Sequence, residues 1–254
     1  MEVLNPFVGD TVAARYARAR PALHRHVAEL MLARQPRVHR ALDLACGTGL
    51  STTPMLEVAQ QVVGVDVSSE MLSLAPRSKR VSYTQAAAER MPFEDGSVDL
   101  ATICSALHWF GPLALHELHR VVRAEGMLVI YDVWFPAEMV GEPRFAEWMS
   151  EVCAPRYQPV AKRHDNLRAL LDVGFRPTWS ADPRYEVRMD LESLAGYLMT
   201  HSERVAAIDD GRETEAEQAD FLTEGLRFLF PPGSERTLLF AISVHAFQQQ
   251  PSAR

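Results

Sequence analysis

Apolar positions along the first 135 residues switch repeatedly between two spacings, and the switches mark the elements. Residues 11–34 place Val12, Tyr16, Leu23, Val27, Leu30 and Met31 at helical intervals, with Pro21 breaking or restarting the helix. Residues 38–46 read as a strand and 51–59 as a helix, Pro54 being tolerated only in its first turn. A second strand covers 62–67, and Ser68-Ser69-Glu70 caps a helix running to Ala75. Strands follow at 81–85 and 98–104, then a helix over 113–123 stopped at Gly126, then a fifth strand at 127–133. Strands and helices alternating at this pitch predict an α/β fold with a parallel sheet covered on both faces.

After Trp134 the rhythm changes. Residues 137–172 read as helical around Phe145, Trp148, Leu167, Leu170 and Leu171, and Gly174-Phe175 turns into a strand region at 177–187. Residues 190–230 are helical and acidic, anchored by Leu191, Leu194, Tyr197, Leu198, Val205, Phe221, Leu226 and Phe228. A last strand covers 237–247, followed by a Gln-rich tail expected to fray. The chain is expected to form a single domain: a core at 10–135, a variable region at 136–236 and a final strand at 237–248.

Composition narrows the class. The chain has 254 residues, 47% hydrophobic and 23% charged, with a net charge of −7. That balance gives no basic face for nucleic acid. No apolar run reaches the roughly 18 residues of a membrane span, and the first ten residues carry no basic, then apolar, leader pattern, so a cytoplasmic protein is expected. Three cysteines, Cys46, Cys104 and Cys153, form no close pair and suggest neither a disulfide framework nor a zinc cluster. The H-x-x-H of His116 and His119 lacks the spacing of a zinc protease, so no metal is expected.

The chemistry gathers at the strand ends. In a parallel sheet ligands bind beyond the carboxyl ends of the strands, where strand order reverses. The stretch ALDLACGTGL buries the carboxylate of Asp43 in an apolar run and follows it with Gly47 and Gly49, which permit a sharp turn and close backbone approach to a ligand. Asp66 ends the second strand 17 residues after Gly49, near where an acidic residue grips a ribose diol. The alternative for Asp66 is a helix N-terminal charge beside Ser68. A dinucleotide loop would carry a third glycine where Thr52 stands, and a phosphate loop would carry a lysine after the glycines. Asp43 would also repel a diphosphate. A cationic nucleoside suits the two carboxylates better, and S-adenosylmethionine, with its ammonium, sulfonium and ribose diol, is the cofactor expected.

ALDLACGTG, VVGVDVS and AAAERMPFEDGSVDLATICSALHWF resemble successive motifs of the class I S-adenosylmethionine-dependent methyltransferases. The likeness falls in the small-molecule subgroup that includes the ubiquinone/menaquinone C-methyltransferases and the trans-aconitate methyltransferases. Tyr16-Ala-Arg-Ala-Arg20-Pro21 and His108-Trp109 are similar to the trans-aconitate-like branch. The resemblance is specific over about residues 10–135. It implies a Rossmann-like fold: a mostly parallel seven-stranded sheet, helices on both faces and a helical lid. It also implies site roles. Gly47 and Gly49 face the methionine moiety with Asp43 behind them near its amino group, Asp66 holds the ribose hydroxyls, and Val67 and Met71 flank the adenine. Ala88 and Glu89 reach the adenine edge, with Glu89 alternatively a plain solvated residue. Ser105 and His108 line the pocket floor, and Tyr16 and Arg20 close over the cofactor, Arg20 meeting a carboxylate. Ala45 stands where the family more often has a glycine, a harmless change if its φ is negative.

Methyl transfer needs alignment more than covalent help, and a general base only if the acceptor must lose a proton. His108 is the candidate base, or a pocket wall beside Trp109. A small-molecule acceptor is expected to dock against 134–145 and 190–230, with Trp134, Tyr197 and Arg204 as candidate contacts. Phe135, Phe221 and Phe228 serve as further apolar lining or as core, and Arg184, Arg188 and Arg227 as further carboxylate clamps. The protein is expected to be a monomer or homodimer. The rival readings are a non-catalytic S-adenosylmethionine-binding protein and a nicotinamide-dependent oxidoreductase.

Overall fold

The computed structural model describes residues 10–157 and 166–250. In chain order the elements are α1 (Asp10–Ala19), α2 (His24–Leu32), β1 (Val38–Leu44), β2 (Ala59–Asp66), α3 (Ser69–Ser73), β3 (Val81–Gln85) and β4 (Val98–Cys104). They continue with α4 (Pro112–Val121), β5 (Val122–Met139), α5 (Arg144–Trp148), α6 (Asn166–Asp172), β6 (Phe175–Ala181) and β7 (Arg184–Met189). The series closes with α7 (Leu191–Leu198), α8 (Ser202–Asp209), α9 (Glu215–Leu226) and β8 (Arg236–Gln249). Residues 158–165 of the predicted helical stretch, the side chain of Val12 and the tail from 251 lie outside the described set.

The chain divides into two compact units. The sheet unit holds residues 22–133, the stretch up to Asp182 that includes α6 and β6, and the chain from Ile242. Its strands run in the order β3-β2-β1-β4-β5-β8-β6. β1 pairs in parallel with β2 and β4, β2 with β3, and β4 with β5, while β6 pairs antiparallel with β8. Strand order therefore reverses between β1 and β4. Apart from Asp43 and Thr102, both strands are apolar through their second halves, which are largely buried, as strands covered on two faces must be. Leu42, Leu44, Ile103, Leu115, Leu118 and Ile130 sit at the centre of this unit's core.

The helical unit groups α1 with Trp134 through α5 and with Pro183–Ala241, which carries β7 and α7–α9. Within it β7 pairs antiparallel with Arg236–Ala241 of β8. Its core is aromatic: Phe135 stacks on Phe240 at 5.0 Å, and Tyr197 meets both rings edge-on. The division does not follow sequence order. The first helix belongs with the late helices, and α6 with β6 belongs with the sheet.

Several expectations change. Among the described residues the strands number eight, because the predicted 177–187 stretch is interrupted at Asp182-Pro183 and forms β6 and β7 separately. The helix expected over 51–59 is a 3-10 turn, Thr53–Glu57, since Pro54 offers no N–H and β2 already starts at Ala59. α4 ends at Val121 rather than at 123. Val122 is already extended, and Gly126 lies where β5 shifts register against β4, a Cβ there falling 2.7 Å from the Arg123 carbonyl. The Gln-rich end is ordered as far as β8 reaches: Gln249 is buried and its Nε2 donates to the His119 carbonyl at 2.8 Å.

Candidate cofactor-binding site

The loop after β1 is pinned at two ends by two carboxylates. Asp43 is fully buried at the β1–β4 reversal, and its Oδ2 accepts from the hydroxyls of Ser51 and Thr52, each at 2.7 Å. Its Oδ1 accepts from Thr102 of β4 at 2.9 Å. Burial pushes the Asp43 carboxyl above the usual range while the three hydroxyls oppose the rise. The cost of burying Asp43 is thus met inside the protein, by hydroxyls rather than by a cationic ligand, and its side chain offers no surface to one. Asp43 stands behind the loop and shapes it.

Asp66 pins the near end. Its Oδ2 accepts from the Gly47 N–H at 2.8 Å and its Oδ1 from the Ser68 N–H at 2.9 Å. Burial raises its pKa, and these backbone donors oppose the rise. Each oxygen keeps a lone pair beyond those bonds, so the carboxylate can still accept from a diol. Ser68 then caps α3, its hydroxyl accepting from Met71 N at 3.2 Å.

Gly47 and Gly49 both have positive φ, 52° and 77°. A Cβ at Gly47 would meet nothing within 4 Å, whereas one at Gly49 would lie 2.5 Å from the Tyr83 hydroxyl. Only Gly47 therefore opens on free space. Gly49 is small because Tyr83 lies against it. Ala45 has φ of 57°, so its replacement of the family glycine is a strained one and not the harmless case of a negative φ.

The remaining predicted residues of the sheet unit follow later in the chain. Val67 is 55% exposed beside Asp66, and Gln85 Nε2 donates to its carbonyl at 2.9 Å. Met71 is buried, Ala88 half-buried and Glu89 exposed. Ser105 follows β4 with φ of 49°, its N–H donating to the Tyr131 carbonyl at 2.8 Å and its hydroxyl accepting from Val133 N at 3.2 Å. A non-glycine residue held in this region marks a position where the surroundings dictate the backbone. His108 is half-buried, tilted against Trp109 with centroids 4.9 Å apart.

Tyr16, Arg20, Trp134, Tyr197 and Arg204 belong to the helical unit. Arg20 Nη2 donates to the Thr200 carbonyl at 3.0 Å, and its guanidinium lies 4.7 and 5.3 Å from the Tyr16 and Tyr197 rings. Trp134 is 47% exposed. Tyr197 and Arg204 are buried. Tyr197 is packed among Phe135, Phe240 and His201. Arg204 donates to Glu203 and to the Cys153 sulfur, both at 3.0 Å, and stacks over Tyr157. Arg184 and Arg188 pair at the surface with Glu138 and Glu235.

Reading the sequence missed Ser51, Thr52, Thr102 and Tyr83. Thr102 carried a signal, a hydroxyl inside the otherwise apolar LATIC. Tyr83 carried none beyond strand alternation. His116 is exposed and His119 packs edge-on against Phe175, and among the described residues no three metal-ligating side chains converge. Among the same residues no helix is long and apolar enough to cross a membrane.

The mostly parallel sheet places its glycine turn, and the acidic residue that ends the next strand, at the reversal of strand order, where open α/β sheets receive ligands. Residues 42–130 match the family model Methyltransf_11, described as a methyltransferase domain. A protein of Dictyostelium discoideum named as a methyltransferase is 26% identical over 181 residues, 68% of each chain. The ubiquinone/menaquinone biosynthesis C-methyltransferase UbiE of Geotalea uraniireducens is 38% identical over 112 residues, 38% of this chain and 46% of that protein. The chain spans about half the length of most of the curated relatives it matches. In fold it is similar to the solved structure of an Anaeromyxobacter dehalogenans protein described as a type II methyltransferase. That match has a TM-score of 0.72 at 24% identity and covers 89% of this chain and 97% of the other.

Proposed function

We propose that the protein binds S-adenosylmethionine on the β1–β2 strand tips and transfers its methyl group to a small-molecule acceptor. The observation that carries this reading is the pinned glycine turn. Gly47 opens on unfilled space while its N–H is held by Asp66, a carboxylate with acceptor capacity left over. The residues fit the cofactor: bare backbone for a close-packed sulfur nucleoside, an acidic side chain for a diol, and an exposed apolar Val67 next to it for an aromatic base. The absence of a true helix after the loop removes the feature that would favour a diphosphate.

When bound, S-adenosylmethionine supplies a methyl group made electrophilic by the sulfonium. The chain's own part is to orient. Asp66 would fix the ribose through its free lone pairs, Gly47 would admit the methionine moiety, and Val67 and Met71 would flank the adenine, with Ala88 and Glu89 at its edge. Ser105 would hold the floor just after β4. His108 would take a proton from an acceptor that must lose one, as general base. Alignment of this kind accounts for much of the rate in a displacement at a methyl group.

The test is transfer of tritium from methyl-labelled S-adenosylmethionine into a metabolite extract, followed by identification of the labelled product. A labelled small molecule formed by the parent and not by Gly47→Ala supports the reading. Tight cofactor binding with no labelled product across extracts of varied composition would favour the non-catalytic binding protein.

A further inference from the structure

The two glycines of the loop have different neighbours, and Tyr83 makes the difference. Tyr83 sits on β3 opposite Gly64 of β2 in the parallel register. A Cβ on Gly64 would lie 2.6 Å from its ring, and one on Gly49 2.5 Å from its hydroxyl oxygen. The ring therefore lies directly over two stretches of bare backbone, one in the neighbouring strand and one in the loop. Its hydroxyl donates to the Pro76 carbonyl at 3.2 Å, which ties the loop's back face to the segment after α3. Gly49 in turn accepts from Thr53 N at 3.2 Å and donates to the Cys46 carbonyl at 2.9 Å, so its position sets the turn that presents Gly47.

We propose that Tyr83 is a positioning residue for the sulfur nucleoside: a flat ring on the back of the Gly47–Gly49 turn that fixes the front, ligand-facing side. The inference rests on the cofactor reading above, and it assigns a role to a residue that need not touch the ligand. A flat aromatic ring is required because only a planar group fits over Gly49 and Gly64 together. An aliphatic side chain of similar bulk would leave the turn free to shift, and displacements of about 1 Å in a site cost affinity or rate by large factors.

The test is calorimetric titration of S-adenosylhomocysteine and, separately, of adenosine, into the parent, Tyr83→Phe, Tyr83→Leu and Tyr83→Met. Folding is checked by thermal melts. The expected result is S-adenosylhomocysteine affinity about tenfold weaker in the Leu and Met variants and within about threefold of the parent in Phe, with adenosine affinity changing little in any of them. Unchanged S-adenosylhomocysteine affinity in a folded Leu or Met variant overturns the proposal. So does an equal loss for both ligands, or unfolding of both aliphatic variants beside a stable Phe, since the ring would then support the fold alone. A parent that binds no S-adenosylhomocysteine fails earlier, and that failure belongs to the cofactor reading.

Discussion

The hydroxyl of Thr102 donates to Oδ1 of Asp43 at 2.9 Å, joining β4 to β1 at the point where strand order reverses. Two further hydroxyls, from Ser51 and Thr52, converge on the other oxygen. Asp43→Ala strips the acceptor from three buried donors and is expected to destabilise the fold by about 3 kcal/mol. Asp43→Asn keeps one oxygen for Ser51 and Thr52 and can donate its amide to Thr102, so it is expected to cost less than half as much. Urea unfolding of the two variants distinguishes a carboxylate that organises hydroxyls from one that awaits a cation.

Ala45 holds φ of 57° with a Cβ in place. Ala45→Gly relieves a left-handed conformation worth roughly 1–2 kcal/mol and gives back part of it as chain entropy, so a net stabilisation of about 0.5–1 kcal/mol is expected. A shift of the urea midpoint to higher concentration checks it.

Tyr197 and Arg204 are buried in the helical unit. Tyr197→Leu leaves a gap beside Phe135 and Phe240, and Arg204→Met leaves Glu203 without its guanidinium partner. Each is expected to lower stability by about 2–4 kcal/mol. Thermal melts and urea curves give the measurement. An unchanged midpoint would restore these residues to the acceptor site.

The helical unit is expected to weaken in acid. Burial pushes the His201 imidazole down to about 4, so the folded chain refuses a proton that the unfolded chain takes below about 6.5. Glu203, which burial alone would raise, is held at about 2 by His201 and Arg204. Stability therefore falls as pH drops from 6.5 towards 4 through His201, and again below 4.5 through Glu203. Asp43 and Asp66, both raised, act in the opposite sense: their buried charge is relieved as they protonate on the way down towards 3.8. His201→Gln is expected to flatten the curve between pH 6.5 and 4 and, because His201 helps hold Glu203 down, to shrink the lower limb as well, as read by urea unfolding at pH 7, 5, 4 and 3.

The sheet unit was legible in the sequence because its strands are short apolar runs between turn residues. β3 and β4 match the predicted bounds, and the glycine turn and Asp66 fall where spacing put them. Hydrophobic pattern could not show that Asp43 is answered by hydroxyls, because Ser51, Thr52 and Thr102 are distant from it in sequence or read as ordinary loop residues. Nor could it separate Gly47 from Gly49, since that depends on a ring arriving from β3. In the later half, aromatic residues at helical spacing served core and site equally well on paper. Tyr197 is buried, while Trp134 is exposed. Grouping of α1 with the late helices is a long-range contact that no local period records.

The most direct measurement is calorimetric titration of S-adenosylhomocysteine into the parent and into Asp66→Ala at fixed pH and salt. Saturable one-to-one binding by the parent, weakened by about 1–3 kcal/mol when the carboxylate is removed, is the predicted result. Equal affinity in the two proteins, or a parent that ignores S-adenosylhomocysteine and binds NADH, would contradict it.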